Sequence, residues 1–185
     1  MPHRYHLFDS AFGRCAIAWN DNGLTRTRLP DRDARQTEHS VAGNDGARVD
    51  ADLPEIAKRA VAELCAYFDG HTSDLDSLPL DFSIVAEFNA RIYRALRAVP
   101  RGETTTYGAL ARAVEAPGAA RAVGMAMGRN PWPVIVPCHR VLAAGAKMGG
   151  FSAPGGTLTK ERLLALEGVA VGGTPMLPGL RLDQA

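Results

Sequence analysis

The chain of 185 residues is long enough for one large domain or two small ones, and it has a net charge of +1. Its three cysteines, Cys15, Cys65 and Cys138, are widely spaced without a CxxC pair, which argues against a disulfide framework and a zinc finger. No apolar run approaches the ~20 residues that span a membrane, and the start from Met1 to Tyr5 does not lead into a signal-peptide core, so we expect a cytoplasmic protein without a membrane partner.

The charge is unevenly distributed along the chain. Residues 85–170 contain 11 Lys/Arg and 5 Asp/Glu, whereas residues 1–84 contain 9 and 14. A basic second half suits a polyanion such as nucleic acid. A solvated surface with uneven charge gives the same counts, so charge alone leaves both interpretations open.

The first 83 residues are expected to form a small supporting unit. Three short strands are predicted, the second and third joined by an Asn22-Gly23 hairpin turn; they span 5–9, 14–19 and 24–29. The polar, Gly- and Asp-rich residues 31–51 are interpreted as a loop. Asp52, followed by Pro54, predicts a capped helix start, and apolar residues at helical spacing continue this helix to Asp69. A linker with one extended piece around Leu80 fills residues 71–83.

Residues 84–170 are expected to be mostly helical. A first helix is predicted by an apolar stripe at spacings of three and four, formed by Ile84, Phe88, Ile92, Leu96 and Val99. Thr106 and its neighbours can cap a short helix over 107–114, and a second helix over 119–127 follows a tight turn. Two short helices across a small turn form a helix-turn-helix. A last helix runs over 158–167, and the Gly/Pro-rich residues 171–185 are interpreted as a loosely attached tail.

The second helix of the helix-turn-helix consists almost entirely of small residues, with Arg121 as its single long polar side chain. Recognition helices in the major groove usually carry several long polar side chains. A helix this thin can instead approach the sugar-phosphate surface or enter a narrow groove. A buried helix that uses small residues for close packing fits the same composition equally well, with Arg121 as an ordinary surface charge.

The stretch 134–141, VIVPCHRV, ends an apolar run in a cysteine followed by a histidine. A cysteine is a strong nucleophile only as the thiolate, so Cys138 needs a base, and His139 can serve directly or through a water molecule. The side chains of adjacent residues on an extended strand point to opposite faces. A water bridge between the His139 ring and the Cys138 sulfur, or a sharp turn after Pro137, is therefore favoured over a direct contact on a straight strand. Glu167 is a candidate to orient His139. A buried structural thiol is the other interpretation, and a metal site is disfavoured because no second ligand pair has suitable spacing.

Pro137-Cys138-His139-Arg140-Val141, preceded by Ile135-Val136, resembles the active-site signature of the O6-alkylguanine-DNA alkyltransferases. Five further segments resemble this family at fitting spacing: residues 101–108 before the helix-turn-helix, 120–124 in its second helix, the Asn130-Pro131 hinge, the loop 149–152 and the last helix at 163–168. The match covers residues 84–168 well and residues 1–80 loosely. It implies an α+β fold, with a small mixed α/β N-terminal domain containing an antiparallel sheet (1–83) and a mostly helical, winged-helix-like domain with the helix-turn-helix (84–170).

The resemblance also implies a function and its residues. The family repairs DNA by transferring the alkyl group of O6-alkylguanine, and of O4-alkylthymine, irreversibly to its own cysteine after flipping the base, in a single turnover and without a cofactor. The implied catalytic residues are Cys138 as the alkyl acceptor, His139, Glu167 and Asn130. The implied DNA contacts are Arg121, which fills the gap in the base stack, Tyr107, Thr106, Ala120 and Met127. The guanine pocket would be lined by Val141, Phe151 and Ser152. The expected partner is double-stranded DNA with the lesion, bound by a monomer that can cluster on DNA.

The chain departs from the family pattern in a few places. Phe151 stands where members often have tyrosine, which bears on substrate range and rate. Cys15 and Cys65 do not reproduce the zinc ligands that some members hold, so no zinc is predicted.

Three alternatives to an alkyltransferase are a non-enzymatic lesion binder, a transcription regulator and a cysteine hydrolase. Non-enzymatic lesion binders carry a tryptophan where Cys138 stands, so the thiol argues against the first alternative. The chain lacks a separate activation module, which argues against a transcription regulator. The basic second half with its helix-turn-helix argues against a hydrolase.

Overall fold

The computed structural model describes residues 3–171, and its first part is built on a four-stranded sheet. The strands are β1 (Arg4–Ser10), β2 (Gly13–Asn20), β3 (Gly23–Arg28) and β4 (Ala47–Arg48), and the helices of this part are α1 (Ala34–Ala42) and α2 (Glu55–Phe68). The strand order is β3-β2-β1-β4, with β4 parallel to β1 and the other pairs antiparallel. The three predicted strands are confirmed to within one residue at each end.

The hairpin between β2 and β3 follows from its asparagine and glycine residues. The side-chain oxygen of Asn20 accepts the backbone N–H groups of Asn22 at 2.9 Å and Gly23 at 3.2 Å. Gly23 has a φ of 153°, and a Cβ atom there would lie 2.9 Å from the Pro79 oxygen and the Asp81 nitrogen. Only glycine fits this close approach. The extended piece predicted before the second part of the chain therefore lies against the start of β3.

The prediction that residues 31–51 form a loop is wrong, because this segment contains α1 and β4. Asp33 caps α1 by accepting the backbone N–H of Gln36 at 2.8 Å. Thr37 and Val41, four residues apart, are the two buried positions of the helix. Two inward residues on a nine-residue helix leave most of its sequence polar, so the pattern resembles that of a loop.

Two predicted helix starts also differ from the structure. Asp52 has a φ of 52° and lies before the helix, and α2 begins after Pro54 without a side-chain cap, so the predicted Asp52 cap is wrong. Ile84 is 45% exposed and ends a short 3-10 helix, so it does not belong to the apolar stripe. The helix with that stripe begins at Glu87.

The second part of the described chain is mostly helical. Its elements are α3 (Glu87–Arg97), β5 (Thr105–Thr106), α4 (Tyr107–Ala113), α5 (Ala120–Gly128), β6 (Val141–Leu142) and α6 (Gly156–Leu166). Single 3-10 turns span Leu75–Ser77, Phe82–Ile84, Cys138–Arg140 and Ala144–Ala146. The α+β fold and the helix-turn-helix, formed by α4 and α5, are confirmed. The Thr106 cap of α4 is confirmed as well, since its hydroxyl oxygen accepts the N–H of Ala109 at 3.1 Å.

One hydrophobic core runs through both parts of the chain, from Phe8 on β1 to Leu163 on α6. The segment that approaches Cys138 is hydrogen-bonded to β3. Thr27 donates its backbone N–H to the Pro131 oxygen at 2.9 Å and its hydroxyl to the Pro133 oxygen at 2.8 Å. The sheet therefore braces the segment that leads into the reactive-looking turn.

The structure leaves some predictions untested. The domain boundary between residues 83 and 84 stays a prediction, and of the predicted tail at 171–185 only Val171 lies within the described residues. Among residues 3–171, every helix is too short or too polar to cross a membrane.

We expect Thr27→Val to destabilise the protein by about 1–3 kcal/mol, because the buried Pro133 oxygen then loses its hydroxyl donor. Thr25→Val is the matched control on the same strand. Thr25 is also buried, but its hydroxyl has no hydrogen-bond partner among the described residues. We expect this variant to be neutral or slightly stabilising. Urea denaturation of both variants measures the difference, and equal loss of stability would contradict the brace.

Candidate functional site

The reactive-looking stretch forms a tight turn. Cys138–Arg140 is one turn of 3-10 helix that starts after Pro137. The Val136 oxygen accepts both the backbone N–H of Cys138 at 2.8 Å and the side-chain amide of Asn130 at 2.9 Å. The sharp turn expected after Pro137 is therefore present, and Asn130 connects the end of the helix-turn-helix to the turn.

Cys138 lies at the wall of a cleft of about 1380 Å³. The thiol residue is 7% exposed. Asn130 and Ser152 line the same cleft, together with Arg129 and Arg162. Pockets for small ligands usually measure ~300–1,000 Å³, so this cleft has room for a ligand that extends beyond the thiol.

The Cys138 thiol is protonated in its resting state. Burial raises its pKa, and this effect outweighs hydrogen bonding by Asn130 and the nearby positive charge of Lys160, which both act in the opposite direction. A thiol with a raised pKa is a weak nucleophile until a base removes its proton. The site therefore requires a base next to Cys138.

His139 has the properties of that base. Its side chain is fully buried, and burial lowers its pKa despite the opposing effect of Glu167, so the ring is neutral. Nε2 lies 2.9 Å from Glu167 Oε1 and, in the tautomer that an ionised carboxylate favours, donates to it. The lone pair is then on Nδ1, which is buried without a hydrogen-bond partner among the described residues.

Glu167 is held as a carboxylate by Arg140. The guanidinium donates from Nε to Oε2 at 2.9 Å and from Nη2 to Oε1 at 2.8 Å. Burial favours the neutral acid, but hydrogen bonds from His139 and Arg140 outweigh it and hold the pKa of Glu167 well below its usual range. Glu167 can therefore orient His139 without taking its proton.

Two residues of the site were missed by the sequence analysis. Tyr67 on α2 donates its hydroxyl to Glu167 Oε1 at 2.7 Å, and its place among apolar residues gives no sign of this contact. Lys160 on α6 is fully buried and donates to the Val141 oxygen at 2.5 Å. A lysine three residues before the inward-facing Leu163 was a readable signal, because the two positions share a helix face.

The helix-turn-helix presents α5 to solvent along one side. Arg121 and Met125 are exposed, and Ala120 is half-buried. Met127, expected to contact DNA, faces the other way, because it is 6% exposed and belongs to the hydrophobic core. The Met127 side chain packs α5 against the protein interior, and a contact of this position with DNA stays a prediction.

The other predicted contact residues surround the turn. Tyr107 and Thr106 are half-buried at the start of α4, and burial with the nearby Cys138 raises the pKa of Tyr107. Phe151 is partly buried against the core. Val141 is fully buried, with its carbonyl already accepting from Lys160, so a ligand would have to use the second lone pair of that oxygen.

This arrangement can activate a sulfur nucleophile beside an exposed, narrow helix. The thiol, the neutral imidazole and the fixed carboxylate come from the turn and the end of α6, as predicted for Cys138, His139 and Glu167. The exposed arginine lies on a separate element, α5.

Models of one protein family match nearly all of the described chain. Residues 3–82 match the ribonuclease-like domain of 6-O-methylguanine DNA methyltransferase. Residues 87–169 match its DNA binding domain.

Individual relatives and solved structures agree with these matches. A methylated-DNA–protein-cysteine methyltransferase of Mycolicibacterium paratuberculosis is 40% identical over 88% of this chain and 91% of its own length. The structure of Mycobacterium tuberculosis OGT in complex with DNA has a TM-score of 0.72 at 37% identity and covers 89% of this chain and 92% of that one. The O6-methylguanine-DNA methyltransferase of the archaeon Pyrococcus kodakaraensis has a TM-score of 0.66 at 25% identity, with 90% and 99% covered.

We expect Glu167→Gln to destabilise the protein by about 3–5 kcal/mol at pH 7, because the buried Arg140 loses its counter-charge. The folded-state pKa of Glu167 is lowered, so its stabilisation is complete above the ordinary value of 4.5 and is lost as the pH falls below it. The difference between wild type and variant should therefore shrink in acid.

Urea denaturation at several pH values measures this difference. Glu38→Gln is the control, since Glu38 pairs with Arg48 at the surface and should contribute only about 0–1 kcal/mol. A Glu167→Gln effect as small as the control effect would show that the buried pair is not a structural requirement.

Proposed function

Because the chain belongs to the 6-O-methylguanine DNA methyltransferase family, we propose that it repairs DNA by transferring the alkyl group of O6-alkylguanine to its own Cys138. The observation that carries this proposal is the cleft-side thiol of Cys138 next to a neutral His139 that Glu167 orients. O4-alkylthymine offers the same kind of alkyl–oxygen bond and is a second expected substrate.

The transfer follows from the states of the three side chains. His139 takes the thiol proton at Nδ1, through a water molecule, while its Nε2–H stays bonded to Glu167. The Cys138 sulfur attacks the alkyl carbon in line with the carbon–oxygen bond. That bond breaks, its electron pair passes to O6, and the repaired guanine, which stays in the DNA, takes up the proton that His139 accepted. The product is a thioether, which is not a leaving group under these conditions, so each molecule acts once.

The base has to leave the duplex before this reaction. Cys138 is only 7% exposed, so its sulfur cannot reach O6 of a stacked guanine, and the nucleotide must be flipped into the cleft. The exposed Arg121 on a helix of small residues suits a minor-groove approach in which its guanidinium fills the gap in the base stack. A helix of small residues does not read base edges, and this suits the repair of a lesion that can occur in any DNA sequence.

The remaining residues have supporting roles in this proposal. Tyr107, Thr106 and Ala120 contact the backbone around the flipped nucleotide. Ser152, Phe151 and the Val141 carbonyl hold the guanine. Asn130 is a positioning residue, since its amide fixes the Val136 oxygen directly before the cysteine turn.

The expected partner is therefore double-stranded DNA that carries the lesion. The monomeric state, clustering on DNA and cytoplasmic location expected from the sequence stay predictions. A lesion binder without transfer activity would not need the Cys138 thiol or its base.

We expect one alkyl group to be added to Cys138 when the protein is incubated with duplex DNA containing O6-methylguanine. Intact mass followed by peptide mapping measures the addition. Cys138→Ser should remain unmodified, because its hydroxyl is far less acidic than a thiol, whereas Cys65→Ser, which changes a cysteine away from the cleft, should react like wild type. Transfer by Cys138→Ser would refute the mechanism.

Arg121→Ala should slow repair of duplex DNA by about tenfold or more, while reaction with a free O6-alkylguanine base stays near the wild-type rate. The free base needs no flipping, so the comparison isolates the role of the arginine in the duplex. Arg35→Ala, which removes an exposed charge on α1, is the matched control. Single-turnover rates give both values, and equal losses on duplex and free base would exclude the proposed role of Arg121.

A further inference from the structure

We propose that Tyr67, supplied by α2 of the N-terminal part, is a positioning residue for the alkyl transfer: its hydroxyl occupies Glu167 Oε1 and limits how strongly that oxygen attracts the Nε2 proton of His139. The inference rests on the proposed role of His139 as the base. It gives the N-terminal part of the chain a role in the chemistry.

The geometry places three donors on one carboxylate oxygen. Glu167 Oε1 lies 2.7 Å from the Tyr67 hydroxyl, 2.9 Å from His139 Nε2 and 2.8 Å from Arg140 Nη2. The Tyr67 hydroxyl is also 3.3 Å from His139 Nε2. Tyrosine and histidine therefore share the same acceptor atom at nearly equal distances.

Tyr67 donates permanently in this network. It is 1% exposed, and burial together with the neighbouring Glu167 raises its pKa far above the physiological range. An ionised carboxylate has no proton to offer, so the hydroxyl proton must point at Oε1. The hydrogen bond is therefore fixed in direction at any pH at which the protein works.

The ring of Tyr67 is held in place independently of that hydrogen bond. It packs edge-on against Phe68, with ring centroids 5.5 Å apart, and the Arg101 guanidinium lies 5.3 Å from its centroid. Arg101 is itself fixed by the backbone oxygens of His71 at 2.6 Å and Leu166 at 2.9 Å. Removal of the hydroxyl alone should leave the ring, and so the fold, in place.

The consequence for His139 has a definite sign. Donors on one oxygen compete for its electron density, so Oε1 without Tyr67 would bond the imidazole more strongly and stabilise its protonated form. Tyr67→Phe should therefore raise the pKa of His139. A protonated His139 cannot accept the thiol proton, so transfer by the variant should fail at a higher pH than transfer by wild type.

Charged and titratable groups face His139 from three elements of the described chain. They are Tyr67 from α2, Lys160 from α6 with Glu167 directly after it, and Arg140 and the adjacent Cys138 from its own turn. Of these, Tyr67 and Arg140 act through the oxygen that also binds His139 Nε2. Removal of Arg140 would leave a buried unpaired carboxylate, so Tyr67 is the member whose contribution can be removed without that cost.

The test is the pH dependence of single-turnover methyl transfer from an O6-methylguanine duplex, measured for wild type and Tyr67→Phe. We expect the midpoint of the acidic limb to move upward by roughly 0.5–1 pH unit in the variant. Tyr5→Phe is the matched control: Tyr5 is buried and donates to the Glu38 carboxylate at 3.0 Å, in the same part of the chain but away from the turn. Its profile should coincide with that of wild type.

A second substitution keeps the experiment decisive if Tyr67→Phe folds poorly. 3-Fluorotyrosine at position 67 retains the ring and the hydroxyl but makes the hydroxyl a stronger donor, so the acidic limb should move to lower pH. Opposite shifts for the two substitutions would support the proposal. Profiles that coincide with wild type, even with a loss of stability, would overturn it and leave Tyr67 as a packing residue.

Nitrogen NMR of His139 separates this inference from the proposed function. The ring resonances of the free protein, assigned with His139→Gln, report the protonation and hydrogen bonding of the imidazole without any DNA. If Tyr67→Phe shifts them toward the protonated form or a stronger Nε2–H bond, the positioning role holds even if alkyl transfer is not observed. Unchanged His139 resonances would refute the positioning role whatever the transfer assay shows.

Discussion

The buried carboxylate of Glu167 is the group on which the rest of the site depends. A carboxylate removed from water is costly unless charged or polar partners surround it, and here they come from α2 and from the turn after Pro137. Each partner also fixes its own element. The carboxylate therefore determines where Tyr67 and His139 lie relative to each other, and through His139 it determines the direction of the free ring nitrogen.

This network works through orientation more than through net charge. The positive charge of Arg140 largely cancels the negative charge of Glu167, and burial keeps His139 neutral. In the proposed mechanism, a neutral His139 and a protonated Cys138 form no ion pair with each other that would need stabilising before the substrate arrives. The geometry is then already set when the proton moves, which is the condition under which a fixed polar environment accelerates a reaction.

The sequence was sufficient for the chemical centre and for most of the fold. Cys138 and His139 are adjacent in a specific motif, and the family resemblance pointed to Glu167, which lies directly after α6 and contacts His139 in the structure. Residues whose role depends on tertiary contacts were not found. Tyr67 lies among apolar residues of α2, and only the position of its hydroxyl in the fold distinguishes it from a core residue. α1 was missed because its two buried residues stand in a stretch whose other residues are mostly polar.

The raised pKa of Cys138 has a consequence for the lifetime of the protein. A molecule that reacts once is wasted by every encounter with a peroxide or a soluble electrophile. A buried thiol that stays protonated resists both, because thiolate character and exposure govern oxidation and alkylation alike. If Cys138 is the alkyl acceptor, as proposed, the burial that makes its thiol depend on a base also protects it from these side reactions before it meets DNA.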